Sequence, residues 1–543
     1  MSDDRVDRRR TSAGTCTWKV EGGNGVGGIT DVETHRDTHR GTRRKTHGIG
    51  ARLTSLRNRA SGLLAGGNRS TIDTIRMAPP PSPLAPVDLT DPLAVHLVTD
   101  VAIRIGDLLL SSGTGNSDTK AQILAITSAY GLYGCHVDIT LNTITVYTRS
   151  TDHADPPIIN FRVVSALSTD FSRLTEVDRL IRSIVNGATP VEQAVTIVTE
   201  LERRPLPYRM RWVPPCWGLF AGFVALLLGG GPVVALISVF TTTIITAVNL
   251  YLSGKGLPLF FRNLIGGVIA TVPAALTFSF ARTLYIHLSP SIVIAACIIA
   301  MLAGLTLVQA LQDGVTGAPV TASARFFETV LLTGGIIAGV AIGLQLMSRV
   351  GMSLPSLDTS ASDFGGVGGV ALRILGGVGA AAFFCLAEFC DRRALVVATF
   401  TTFVALVVHQ LVMPLVGLDS VSAAGAVAVL IGLAGGLLSR RYLIPPQITA
   451  IAGITPLLPG LSLYRGMYSL LSDQLVVGLS SLGIALATAT ALAAGVTFGE
   501  WIARRLRAPR ILHRDLGLRR PAVRRAPRHW KLRADRARRR RRR

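Results

Sequence analysis

The sequence predicts an α-helical polytopic membrane protein with about ten transmembrane helices in a 5+5 inverted repeat and a small N-terminal α+β cytosolic domain. Three observations predict it. Of the 543 residues 49% are apolar and only 16% charged, and the mean hydropathy is +0.43, which is too apolar for a soluble chain of this size. From Trp212 to Ile502 the apolar residues fall in blocks of roughly 17–25 separated by short polar breaks, the length that crosses a hydrocarbon core about 30 Å thick. A short motif, Ala303-Gly-Leu-Thr306, returns as Ala452-Gly-Ile-Thr455.

Residues 1–88 are rich in Arg, Gly, Thr and Asp and run into Ala78-Pro-Pro-Pro-Ser-Pro83. That composition cannot bury enough surface to offset chain entropy, so a disordered segment is expected, with Met77 an alternative start. No secretory signal is expected, because the N-terminus has no apolar h-region. At the other end, residues 503–543 read as a disordered Arg-rich tail. From Arg504 to Arg543 there are 19 Lys and Arg against two acids, so the tail carries +17 of the net +23. No aromatic interleaving or nucleic-acid module accompanies these arginines. The expected partner is the anionic inner leaflet of a bilayer, not nucleic acid, at about 1 kcal/mol per basic residue near the surface.

Residues 89–211 form the expected cytosolic domain. Helical apolar spacing covers Leu93–Leu110, and Ser117-Asp118-Thr119 offers an N-cap for a second helix through Tyr130. Alternating β-branched runs at His136–Leu141 and Thr143–Thr148 meet at Asn142, and a third covers Ile158–Val164. Two helices follow, Leu174–Asn186 and Pro190–Glu202, the second with its proline in the first turn. Cys135-His136 is the one adjacent nucleophile and base, but strand neighbours point to opposite faces, so a shared proton is not expected. Asp170, Asp178 and Glu192 read as a solvated helix face. The six cysteines lack metal-ligand spacing and read as small hydrophobes. No cofactor is expected, and no enzyme.

Ten spans are expected at 213–230, 232–252, 264–284, 290–311, 326–347, 367–388, 394–413, 421–438, 443–462 and 475–501. They divide into a first half (212–348), a connecting loop (349–366) and a second half (367–502). Arg203, Arg204, Arg209, Arg211, Lys255, Arg262, Arg325, Arg392, Arg393, Arg440, Arg441 and the tail fall on one side, and the other collects few positives (Arg282, Arg349, Arg373, Arg465) beside Asp358, Asp363, Asp419 and Asp473. By the positive-inside rule both termini are then cytoplasmic. A repeat with an odd number of spans inserts its second copy upside down. The repeated motif lies on the fourth and ninth spans, the matching members of each half. Pro456 and Pro459 should break or turn back the ninth. Gly335, Gly339 and Gly343, like Gly218/Gly222 and Gly432/Gly436, keep a spacing of four that lets helices approach closely.

Polar groups at membrane depth are costly and usually line a pathway. The candidates for contact with a transported molecule are Thr306, Gln309 and Gln312 on the fourth span and Thr455, Pro456, Pro459, Gly460, Tyr464 and Arg465 on the ninth. Asp313, Glu328 and then Glu388 are the candidates for carrying a coupling proton, because an acid moving between dry and wet surroundings changes its proton affinity. Arg325 and Glu328 are three apart and could pair on one helix face. Asn249, His409 and Gln410 are further polar groups at membrane depth.

The runs Leu307–Glu328 and Ile454–Met467, with Asp178-Arg-Leu-Ile, Gly187 and Glu192-Gln-Ala in the soluble part, resemble the threonine/serine exporter (ThrE) family over roughly residues 90–502. The resemblance implies a soluble N-terminal domain and about ten spans, in some members divided between two chains. It also implies export of threonine and serine across the plasma membrane, driven by the proton motive force. Split relatives are associated with dicarboxylate export. The expected partners are therefore a small amino acid, protons and lipid, and a homo-oligomer is compatible with the sequence. In this reading a zwitterion binds between the fourth and ninth spans, where the break at Pro456–Gly460 exposes backbone groups. Thr306, Gln309 and Thr455 meet its polar groups. Two other classes fit the sequence: a channel or exporter for another small anion, and a membrane-tethered enzyme acting through residues 89–211.

Overall fold

The computed structural model of the protein describes residues 91–148, 158–164, 170–283, 290–301, 304–352, 367–471 and 474–507. The expected N-terminal segment, the 353–366 part of the connecting loop with Asp358 and Asp363, Ala303 of the repeated motif, Asp473 and the basic tail from 508 onward lie outside the described residues.

The soluble part begins with α1 (Pro92–Ser111), capped by Asp91, whose side chain accepts from the Leu93 N–H at 2.9 Å. Next comes α2 (Asn116–Ala129), whose N-cap is Gly115; the expected cap at Ser117-Asp118-Thr119 lies inside the first turn. Three strands, β1 (Cys135–Thr140), β2 (Thr143–Thr148) and β3 (Ile158–Val163), form an antiparallel meander. The β1–β2 turn places Leu141 at φ 51. Then α3 (Phe171–Val185) and α4 (Val191–Arg203) close the unit, with Pro190 just before α4 as its N-cap. Alternation sends Cys135, Val137, Ile144 and Val146 into a core with Ile105, Leu109, Ile123, Phe171, Leu174 and Ile181, and leaves His136 stacked on Tyr147 outside. Each such fully buried large side chain contributes about 1.5–3 kcal/mol.

Two acids depart from the solvated face expected of them. Asp170 is buried because it caps α3, accepting from the Arg173 N–H at 3.0 Å. Asp178 is fully buried because it pairs with Arg182 one turn on. Glu192 is exposed.

The membrane part comprises α5 (Val213–Leu227), α6 (Pro232–Gly254), α7 (Leu259–Thr283), α8 (Pro290–Met301), α9 (Gly304–Val315), α10 (Pro319–Arg349), α11 (Val367–Ala387), α12 (Arg392–Val407), α13 (Met413–Val416), α14 (Ser420–Tyr442), α15 (Pro446–Ile454), α16 (Gly460–Leu471) and α17 (Leu475–Arg507). Among the described residues eight helical stretches are long and apolar enough to cross a bilayer, and the bent pair α8–α9 makes a ninth. This is a multi-pass membrane protein.

The ninth span is broken, as its two prolines predict, and is not one helix of spanning length. It runs α15, a 3₁₀ turn over Thr455–Leu457, then α16, because Pro456 and Pro459 cannot donate the N–H groups a continuous helix needs. The fourth span is also broken: α8 and α9 meet at 48°. Pro414 has a comparable effect in the seventh, where Val408–Val412 takes a π turn between α12 and α13.

Packing repeats between the halves. In the first, α5 packs on α6, α7 on α10, α9 on α10 and α8 on α6. In the second, α11 packs on α12, α14 on α17, α16 on α17 and α15 on α12. The halves join chiefly through α5 and α11, with α9 also packed on α17. Small residues set the closest approaches: a Cβ at Gly339 would run into the Leu264 carbonyl of α7, and one at Gly499 into the Val429 carbonyl of α14.

Candidate functional site

The soluble part sits on one face of the helices and touches the two broken spans. Its α1–α2 turn reads Ser112-Gly-Thr-Gly-Asn116. Thr114 Oγ1 donates to Gln447 Oε1 at 3.0 Å, on the first turn of α15. The Asn116 N–H, one of the unpaired donors that open α2, donates to Oδ1 of Asp313 on α9 at 3.3 Å. Asn116 Nδ2 donates to Thr321 Oγ1 at 2.8 Å, and the same hydroxyl accepts the Leu141 N–H at 3.2 Å. At a separate point the Phe171 N–H donates to the Glu388 carbonyl at 3.0 Å.

Asp313 is 2% exposed and Arg325 7%, and Arg325 Nη1 donates to Oδ2 of Asp313 at 2.8 Å. The carboxylate is therefore shared between a guanidinium on α10 and a helix N-terminus of the soluble part. This corrects the expected Arg325–Glu328 pair. α10 starts at Pro319, earlier than expected, and its buried stripe runs through Thr321, Arg325, Thr329, Leu332 and Ile336. Glu328 falls off that stripe and is exposed.

Among the described residues, cavities lie between the halves on either side of the helix breaks. The first, under the α1–α2 turn, is bordered by Gln309, Gln312 and Asp313 of α9, by Gln447 and Ile454 of α15, and by Asp118 and Glu500. Its free space of about 30 Å³ has room for a water or two, at the ~10–15 Å³ each requires. The second lies on the far side of both breaks, between Leu227 of α5, Ile292 and Ala295 of α8, Arg373 of α11, Gln410 and Leu461 of α16, and measures about 170 Å³.

The sequence candidates thus separate. Gln309, Gln312 and Asp313 converge on the small cavity. Thr306 is hydrogen-bonded to Thr329 at 2.9 Å, and Thr455 donates to the Ile451 carbonyl at 2.7 Å within its own helix. Pro456 and Pro459 flank the 3₁₀ turn and Gly460 opens α16. Tyr464 is 2% exposed, and its hydroxyl has no hydrogen-bond partner among the described residues; Arg465 is exposed. Glu388 lies at the end of α11 against α3, apart from both cavities. Sequence reasoning missed Asn116, Asp118, Gln447 and Glu500, although the Gly-rich polar turn at 112–118 inside an apolar domain is an available signal.

Residues 100–347 match the ThrE family model, "Putative threonine/serine exporter", and residues 374–502 match a second model, "Threonine/Serine exporter, ThrE". A "Threonine/serine exporter" of Corynebacterium glutamicum is 52% identical over 443 residues, covering 82% of this chain and 90% of the relative. The chain belongs to the threonine/serine exporter family. A second family member, a "Probable threonine/serine exporter" of Mycobacterium tuberculosis, is 36% identical over 423 residues, 77% of this chain and 78% of the relative. No solved structure matches the chain. The boundary between the two threonine/serine exporter models falls between α10 and α11, where the packing pattern starts again.

Proposed function

We propose that the protein is a secondary transporter that exports small amino acids, threonine and serine, across the plasma membrane, coupled to the proton motive force, with the soluble part and both termini cytoplasmic. The relatives bearing threonine/serine exporter names support the substrate. One observation supports the mechanism: two broken spans cross between two similarly packed halves, with a cavity on either side of the breaks. Broken helices of this kind offer backbone groups to a solute where a continuous helix could not. Rocking of one half on the other would open the two cavities in turn.

In this scheme Gln309 and Gln312 receive the amino acid from the cytoplasm, the 455–460 break carries its charged groups, and Thr306, Thr455, Tyr464 and Arg465 complete the path. Asp313 is the first choice for the coupling proton, since releasing Asn116 or Arg325 would free its carboxylate; Glu328 and Glu388 come after it. The test is efflux of preloaded threonine, serine and succinate from cells without their own exporters, with and without an uncoupler. Uncoupler-sensitive threonine efflux that is lost in Asp313→Asn or Pro459→Ala supports the scheme. Succinate efflux alone moves the substrate to dicarboxylates. Coupling through these acids is refuted if Asp313→Asn, Glu328→Gln and Glu388→Gln all retain uncoupler-sensitive transport.

A further inference from the structure

The larger cavity, facing away from the soluble part, has two polar side chains among its described lining residues, Arg373 on α11 and Gln410 in the π turn. Both halves contribute to it, with Leu227 and Ile292 from the first and Arg373, Gln410 and Leu461 from the second. Arg373 lies in the second turn of α11, inside a stretch long and apolar enough to cross a bilayer, where a guanidinium is expensive. It has five N–H donors, enough to hold a protein neighbour and a carboxylate together.

Gln410 supplies the opposite chemistry. Pro414 lies four residues on and has no N–H, so an α-helix here would leave the Gln410 carbonyl without its usual donor. The chain answers with the π turn at Val408–Val412, a distortion that often marks functional sites. Gln410 thus lines, beside a guanidinium, a cavity at which its side-chain amide oxygen can accept a hydrogen bond. One helical turn beyond Leu461, the Tyr464 hydroxyl is buried without a partner among the described residues.

We propose that this cavity is the release-side binding site for an α-amino acid: Arg373 holds the carboxylate, Gln410 accepts from the ammonium, and the apolar walls at Leu227, Ile292 and Leu461 limit the side chain to a small one. The site rests on the exporter reading above and adds to it the two groups that recognise the zwitterion. At about 170 Å³ it is roomier than the cavity under the α1–α2 turn, at about 30 Å³.

The test uses the full-length protein in nanodiscs, with calorimetric binding of L-threonine, threoninamide (no carboxylate) and N-acetylthreonine (no ammonium), alongside threonine efflux from proteoliposomes. The wild type should bind threonine about tenfold or more tighter than either derivative, the scale of one lost charge-assisted hydrogen bond. Arg373→Gln should weaken threonine binding by a similar factor while leaving threoninamide binding nearly unchanged, and Arg373→Lys should recover part of the loss. Gln410→Leu should weaken threonine but not N-acetylthreonine. If wild-type protein binds threoninamide as well as threonine, or Arg373→Gln binds and exports threonine like wild type, the site is wrong and the exporter reading stands. If wild-type protein neither binds nor moves threonine, the exporter reading fails and the site falls with it. The derivative series on wild-type protein decides the matter even where a variant does not fold.

Discussion

Asn116 and Asp313, 197 positions apart, meet at 3.3 Å: the N–H that opens α2 of the soluble part donates to the carboxylate that ends the fourth span. Together with Asn116 Nδ2 on Thr321 and Thr114 on Gln447, this contact lays the α1–α2 turn over the smaller cavity as a cover. Asn116→Ala removes the side-chain bond at a cost of about 1 kcal/mol. A cysteine introduced at Gln309 should then react several-fold faster with a water-soluble maleimide. An unchanged rate would mean that the turn does not limit access.

The Asp313–Arg325 pair is buried on both sides. Arg325→Met leaves a carboxylate without its cation and should destabilise the protein by about 3–5 kcal/mol. The double variant Asp313→Asn/Arg325→Met removes both charges and should recover most of that loss. Thermal unfolding in detergent, read as a double-mutant cycle, measures the difference.

Two glycines on α10 separate packing from helix propensity. Gly339→Ala pushes a methyl into the Leu264 carbonyl of α7 and should cost about 1–3 kcal/mol. Gly334, five residues earlier, has nothing within 4 Å of an added Cβ, so Gly334→Ala should be neutral or stabilising by up to about 1 kcal/mol. Equal effects in thermal unfolding would remove close helix approach as the reason for the Gly335/Gly339/Gly343 stripe.

Glu202 ties α4 to α1 and β3. It accepts from Arg104 at 2.5 Å and from Arg162 at 3.1 Å. The hydrogen bond from Arg104 is the main reason its carboxyl is held below the ordinary glutamate value, with the nearby Arg162 adding to it. A depressed carboxylate stabilises fully above its unfolded value, about 4.3, and that contribution is lost as pH falls through the lower folded value. Hydrogen-exchange protection factors in α1, α4 and β3, which correct for the intrinsic pH dependence of exchange, should therefore fall below about pH 4 in wild type. In Glu202→Gln they should be lower at neutral pH and flatter across the same range.

Much of this architecture was legible in the sequence, for physical reasons that can be named. Periodicity placed all seven elements of the soluble part within a few residues, because each buries a face against one core. The prolines at 456 and 459 placed the break in the ninth span, since a missing N–H acts locally. What escaped was non-local. Arg325 lies nearer in sequence to Glu328 than to Asp313, and only the early start of α10 at Pro319 turns it toward α9. Asn116 is marked only by the Gly-rich polar turn around it and Gln447 by nothing local; they matter because the soluble part docks where it does. The break after Met301 has no proline, and nothing in Leu302-Ala303 announces it. Asp170 and Asp178 looked solvated because their partners, a helix N-terminus and Arg182, become decisive only once α3 is pressed into the core.

The α5–α11 contact carries a consequence for how the chain could be divided. Gly376 lets α11 approach the α5 backbone at Phe223 and Leu227, and Phe383 stacks on Phe223 at 5.4 Å. The two halves therefore recognise each other through side chains and backbone of α5 and α11. A gene cut between Met352 and Val367 should yield two polypeptides that complement one another when co-expressed, with α5 and α11 as the seam along which they assemble.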